Sequence, residues 1–247
     1  MSDKTTDMQR HEVDATPHKK QPSESIDFDD YAGSYDALMH ESVGAYTSDV
    51  AYFAQYKVDF VKQRRARPVK KILEYGCGTG RNIPMLRDAF EEAEVIGTDI
   101  SPASLDIARQ HNPGIRFEVE TPDLKLDGFD LVFVANVFHH IPPPERGGAM
   151  KVLSSRMAPD AEICIFEHNP FNPVTRRIVS TCPFDADAVL LRPSELRRLY
   201  DRSGIELVDQ SYCLFVPPRF SGLLFLERHL TWLPLGGQYV VIGTPRA

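Results

Sequence analysis

A chain of 247 residues, 42% hydrophobic and 26% charged, suffices for one globular domain with decorations. Its formal charge of −7 and pI near 5.6 argue against a surface built to cover phosphate backbones, so a nucleic-acid partner is not expected. No apolar run approaches the ~18 residues of a membrane span, and the polar opening stretch lacks the apolar centre of a signal peptide. These features point to a cytoplasmic protein whose residues 1–25 form a disordered tail, since that stretch has nothing to bury. The cysteines, Cys77, Cys164, Cys182 and Cys213, show no metal-ligand spacing and read as buried reduced thiols; no metal is expected.

In chain order, residues 26–67 carry aromatics at spacings of three and four, a helical signature. They are expected to cap whatever follows. After Pro68 the pattern alternates between strands and helices. "VKKILEY" reads as a strand, followed by a glycine loop and a helix over 82–92. "AEVIGTDI" is a second strand, and "SPASLDIARQHN" a helix capped by Ser101. "GIRFEVE" and "FDLVFVANV" are the third and fourth strands, the latter apolar enough to be buried on both faces. A helix over 144–157, the strand "AEICIFEH" and a helix over 194–202 stopped by Gly204 complete the alternation. "IELVDQSYCLFV" and "GGQYVVIGT" then follow without a convincing helix between them, as an antiparallel pair would. The fold class is α/β, a three-layer αβα sandwich over 68–247.

The loop after the first strand decides what such a sheet can bind, because ligands sit beyond the carboxyl ends of the strands where strand order reverses. Here it reads "EYGCGTGRN", with glycines at 76, 78 and 80. A dinucleotide loop needs its third glycine one position later, where Arg81 stands, and a phosphate loop needs a Lys-Ser/Thr pair after the last glycine. Neither pattern is met.

The G-x-G-x-G spacing, with Glu74 two residues upstream, resembles the first motif of class I S-adenosylmethionine-dependent methyltransferases. Asp99 ends the second strand about 20 residues on, and "FEVETPDLKLDGFDLVFVANVFHHI" resembles the third-to-fourth strand region of that family. The resemblance covers roughly residues 70–168. It implies a Rossmann-like, mostly parallel seven-stranded sheet with an antiparallel last strand. It also implies S-adenosyl-L-methionine as cofactor, with S-adenosyl-L-homocysteine as product. In this sequence the resemblance places Gly76, Gly78 and Gly80 against the aminoacyl end, and Glu74 near its ammonium. Asp99 and the adjoining Ile100 belong to the ribose end, Glu120 and Thr121 to the adenine, and Asn136 to the segment closing over the methionine portion. Tyr31 and Tyr35, in "DDYAGSYD", resemble a leading helix whose tyrosine reaches the cofactor carboxylate, with core packing as an equal alternative.

Methyl transfer asks the protein to align an acceptor and exclude water, and in some cases to take a proton, for which histidine is the usual side chain. His139 and His168 follow the fourth and fifth strands and are expected as base or acceptor-orienting groups, with His140 packing at a helix start. "HNPF" (168–171) superficially resembles the box of amino-group methyltransferases acting on nucleic acid, but follows the wrong strand and has one proline. Two long connections, 169–191 and 216–237, are expected to shape the acceptor site. Arg176 and Arg177 could meet an anionic acceptor, although surface pairing with Asp185 or Asp187 is the commoner fate of such residues. The second connection carries Phe, Leu and the sole tryptophan and suits an acceptor pocket, a dimer contact or a peripheral membrane contact. We expect it to close as a lid with Trp232 partly buried. The expected function is methylation of a small-molecule or lipid-like acceptor in a biosynthetic pathway. The alternative is a non-catalytic S-adenosylmethionine-binding subunit of a biosynthetic complex.

Overall fold

The computed structural model describes residues 27–33, 38, 51–65 and 67–246. The expected tail and Tyr35 lie outside the described residues, as does most of the stretch between the first turn and the first helix.

The local signals produce the elements they predict. The strands are β1 (Lys71–Tyr75), β2 (Glu94–Asp99), β3 (Arg116–Val119), β4 (Phe129–Ala135), β5 (Met157–His168), β6 (Ile205–Cys213) and β7 (Gln238–Pro245). The described helices are α1 (Ala51–Arg64), α2 (Ile83–Ala89), α3 (Pro102–His111), α4 (Arg146–Arg156), α5 (Pro173–Thr181), α6 (Pro193–Arg202) and α7 (Glu227–Leu230). Ser101 caps α3 by accepting the Ser104 amide, and Asn172 caps α5 by accepting the amides of Val174 and Thr175. A proline follows each cap, where its missing N–H costs nothing. α2 ends at Ala89, short of the expected Glu92, because the chain turns at Phe90 to bring Glu94 into register beside Lys71.

The strands form one sheet in the order β3-β2-β1-β4-β5-β7-β6. All neighbours pair in parallel except β7, which runs antiparallel to both β5 and β6. The antiparallel pair is therefore present, but its last strand in sequence lies inside the sheet and β6 forms the edge. Alternation along the central strands feeds two cores. Ile72, Leu131, Phe133 and Cys164 face one layer of helices, and Leu73, Val132, Val134 and Ile163 face the other. All four cysteines are free and buried.

Chain order reverses between β1 and β4, which opens a crevice above their carboxyl ends. The connections after β4, β5 and β6 come out on that same edge.

The connection from β6 to β7 differs from expectation. It forms a 3-10 run (Pro218–Leu226) and then α7. Its anchor is Glu227, a buried carboxylate that accepts the amides of Leu214, Phe215 and Val216 and the Tyr56 hydroxyl. Those four donors turn the acid inward, so the surrounding apolar side chains turn outward. Trp232 is 73% exposed, its indole N–H satisfied locally by the His229 carbonyl. The expectation of a lid that buries Trp232 is not met. No helix among the described residues is long and apolar enough to cross a membrane.

Candidate active site

Above the β1/β4 crevice lies a cavity of about 450 Å³, within the ~300–1,000 Å³ typical of small-molecule sites. Its floor is the glycine loop. Gly76, Gly78 and Gly80 all adopt positive φ, at 69°, 52° and 76°. At Gly76 a side chain would also collide with Val137, whose Cγ2 lies 2.4 Å from an added Cβ. Gly76 and Gly78 line the cavity, whereas Gly80 packs against Ala108 and Asn112 beside α3. The third glycine thus shapes the loop from behind.

Asp99 closes one side of this floor. Its Oδ2 accepts the Gly78 amide at 2.7 Å and its Oδ1 the Ser101 amide at 2.9 Å. Burial raises its pKa, and those backbone donors oppose the rise. Ile100, next along, leaves its side chain 63% exposed at the cavity wall, an apolar surface for a planar ring. Glu120 lines the same end, but both its oxygens are held by Arg156, at 2.9 and 2.6 Å. Thr121 is exposed and outside the lining. Asn136 lines the cavity at φ 59°, its side-chain oxygen accepting from Gln238.

At the other end stand two buried ionisable groups. Glu74 lies behind Asn82, which donates to its Oε1 at 2.6 Å, while Oε2 has no hydrogen-bond partner among the described residues. Burial raises the Glu74 pKa to about 8. Lys57, from α1, lines the cavity and is held down to about 8, again by burial. Below about pH 8 this leaves Lys57 cationic in the lining and Glu74 neutral behind Asn82, poised to ionise beside a cation. Nothing local marks Lys57, which sits mid-helix among aromatics 19 positions before Gly76.

The leading segment also arrives differently from expectation. Phe28 and Ala32 line the cavity, and Tyr31 does not. Asp29 fixes this segment by accepting from the Ser101 hydroxyl and the Ala103 amide, at the start of α3.

The histidines require a correction. His139 is 1% exposed and lies behind the wall, with Nδ1 2.6 Å from Glu167 Oε2. His168 packs on its ring at 5.0 Å between centroids and does not line the cavity either. His140 is the ring that does, with Phe28 packed edge-on against it. The cause lies in the turn after β4. Glu167 accepts the Val137 and Phe138 amides as well as His139, which draws His139 inward and leaves its neighbour facing out. Asp185, from the long connection after α5, stands 3.3 Å from His140 Nε2 and 3.6 Å from His139 Nε2.

Burial alone would lower the His139 pKa, but Glu167 and Asp185 outweigh it and raise it to about 9. His168, buried and beside His139, falls to about 4. His139, His140 and Asp185 are the one group among the described residues with metal-ligand atoms mutually within 4.8 Å, and the ion pairs within it already account for that convergence. Asp185 was legible only as a surface partner for arginines, because nothing local in "CPFDADAV" signals that the chain folds back under the histidine turn.

Comparison with known proteins now adds to this geometry. Residues 73–163, which include the glycine loop, Asp99, Glu120 and the histidine turn, match the family model described as a methyltransferase domain. Over this stretch the chain is similar to methyltransferase domains. Ubiquinone biosynthesis O-methyltransferase of Hahella chejuensis is 31% identical over 122 residues, covering 46% of this chain and 50% of that protein. The chain spans about half the length, or less, of the curated relatives it matches most strongly.

Solved methyltransferase structures share the fold. A S-adenosylmethionine-dependent methyltransferase from Archaeoglobus fulgidus superposes with a TM-score of 0.64 at 15% identity, covering 85% of this chain and all of that one. Magnesium protoporphyrin IX methyltransferase from Synechocystis, crystallised with S-adenosylhomocysteine, gives 0.58 at 17% identity, covering 88% of this chain and 97% of that one. The residues of this site fit S-adenosylmethionine, the cofactor of those methyltransferases. The orphaned Glu74 oxygen suits an ammonium, and the space that a Gly76 side chain would fill suits a close backbone contact.

Proposed function

We propose that the protein transfers a methyl group from S-adenosylmethionine to a small or lipid-like acceptor. The observation that supports this reading best is the cavity itself. One crevice holds two left-handed glycines, a strand-end carboxylate tied to their loop, and Lys57 at the opposite end, with Glu74 buried just behind the lining residue Asn82.

In this reading Lys57 and Glu74 bind the carboxylate and ammonium of the methionine moiety, and the Gly76–Gly78 backbone lies against it. Asp99 accepts from the ribose hydroxyls, and Ile100 covers a face of the adenine. The bound cofactor supplies a methyl group on a cationic sulfur that departs as a neutral thioether, so the leaving group needs no acid. The acceptor approaches past His140 and Phe28, beside the Asn136–Val137 turn. Asp185 holds the His140 ring, and His140 orients the acceptor or takes its proton. His139, Glu167 and His168 act from behind, by fixing Asp185 and the turn. The described parts of the stretch 26–67 reach the cavity through Phe28, Ala32, Phe53 and Lys57. Some curated relatives are named ubiquinone biosynthesis O-methyltransferase and trans-aconitate 2-methyltransferase, which supports a small-molecule acceptor and a biosynthetic role, while others are named ribosomal protein L11 methyltransferase.

The test is titration of S-adenosylmethionine and S-adenosylhomocysteine into the protein by calorimetry, followed by turnover with hydroxylated and lipid-like acceptors. Binding with transfer supports the reading. Binding without transfer to any acceptor class would favour a non-catalytic partner subunit.

A further inference from the structure

The outward-facing connection between β6 and β7 is chemically unlike the rest of the surface. Leu223, Phe225, Trp232 and Leu235 are all exposed there. Phe171 and Val174, exposed at the start of α5, join them, because the Asn172 side chain donates to the Leu235 carbonyl. Singly exposed apolar residues are ordinary, but six large ones on two adjoined segments mark an interaction surface.

Charge identifies the partner. The whole chain carries −7, yet the stretches 169–181 and 216–235 contain Arg176, Arg177, Arg219 and Arg228 and a single acid. That acid is Glu227, which is buried under its four donors. The charges exposed on this face are therefore all basic, on an acidic protein. Exposed tryptophan and phenylalanine fringed by arginine suit a water–lipid boundary, where the rings enter the headgroup layer and the guanidinium groups meet phosphates.

Position supports the same partner. The segment leaves the carboxyl end of β6, on the edge of the sheet that carries the cavity. Glu227 ties it to Tyr56 on α1 at 2.7 Å, and α1 also presents Phe53 and Lys57 to the cavity.

We propose that this face docks the protein peripherally on an anionic phospholipid bilayer. The contact places the cavity mouth at the membrane surface without inserting a span. It goes beyond the methyl-transfer reading and does not depend on it.

The experiment uses the full chain with vesicles of phosphatidylcholine alone and of phosphatidylcholine mixed with phosphatidylglycerol. Trp232 is the sole tryptophan, so its emission reports this face directly. The expected result is co-sedimentation with the anionic vesicles and a blue shift of emission, both suppressed by salt as screening shortens to a few ångströms. Paired Leu223→Ser and Phe225→Ser should weaken vesicle binding roughly tenfold or more. Paired Arg176→Glu and Arg177→Glu should abolish the preference for anionic lipid. S-adenosylhomocysteine affinity, measured on each variant, confirms that it folds.

Absence of both sedimentation and shift would overturn the proposal. So would equal binding to neutral vesicles, or an emission already blue-shifted in a concentration-dependent dimer, which would assign the face to a second copy. Cofactor binding without vesicle binding removes only the docking proposal. Vesicle binding without cofactor binding removes only the methyl-transfer reading.

Discussion

Asp99 accepts the amide of Gly78 at 2.7 Å, so the carboxylate ending β2 braces the loop that follows its neighbour β1. Two positions 21 residues apart are thereby joined into one surface before any ligand arrives. In the proposed reading this makes ribose recognition and backbone recognition one unit, and preorganisation of this kind lowers the ordering cost of binding.

The first prediction concerns Gly76. Its φ of 69° and the 2.4 Å approach to Val137 make Gly76→Ala both strained and crowded. The variant should lose about 1–3 kcal/mol of stability and most of its cofactor affinity. Adding Val137→Ala should restore part of the stability by relieving the collision, while the strained dihedral remains. Thermal melts and calorimetry on the single and double variants check this.

The histidines make the second prediction. His140→Ala should reduce turnover by ~10²–10⁴ with cofactor affinity held, if His140 takes the acceptor proton. Asp185→Asn should fall in the same direction, because it loosens the ring. His139→Ala should instead lower stability first, since it leaves Glu167 buried and short of a charged partner. Equal turnover in wild type and His140→Ala would leave alignment alone as the source of the rate.

Stability without ligand should depend on pH in a defined window. Between about pH 6.5 and 8, His139 (raised to about 9) and Glu74 (raised to about 8) keep protons in the folded chain that the unfolded chain has released. The folded state therefore binds more protons, and stability falls as pH rises. The loss should be on the order of 2 kcal/mol across the window. Lys57, lowered to about 8, acts in the opposite sense only above that pH, and His168, lowered to about 4, only below the window. Glu74→Gln should flatten the slope. A melting temperature that rises between pH 6.5 and 8 would contradict the assignment.

Much of this was readable before the structure. The β1–β5 alternation, the caps at Ser101 and Gly204, and the Gly76–Asp99 spacing are local signals, so pattern and turn chemistry decide them. What escaped depended on long-range return of the chain. Lys57 enters from a helix, and Asp185 from a connection that folds back under the turn after β4. Which of two adjacent histidines faces the cavity depends on Glu167, 28 residues after His139. The lid expectation failed for a related reason. The apolar content of 216–235 was visible, but the buried Glu227 that decides which way its side chains face looked like one more surface charge.

The account rests on the cavity being a S-adenosylmethionine site organised by Asp99. The most direct measurement is calorimetric titration of S-adenosylhomocysteine into the protein and into Asp99→Ala. The account predicts saturable binding to the wild type, and a loss of ~1.5–3 kcal/mol, roughly tenfold to a hundredfold in affinity, in the variant. Equal affinity in both proteins, or tighter binding of NADH than of the homocysteine compound, would contradict it.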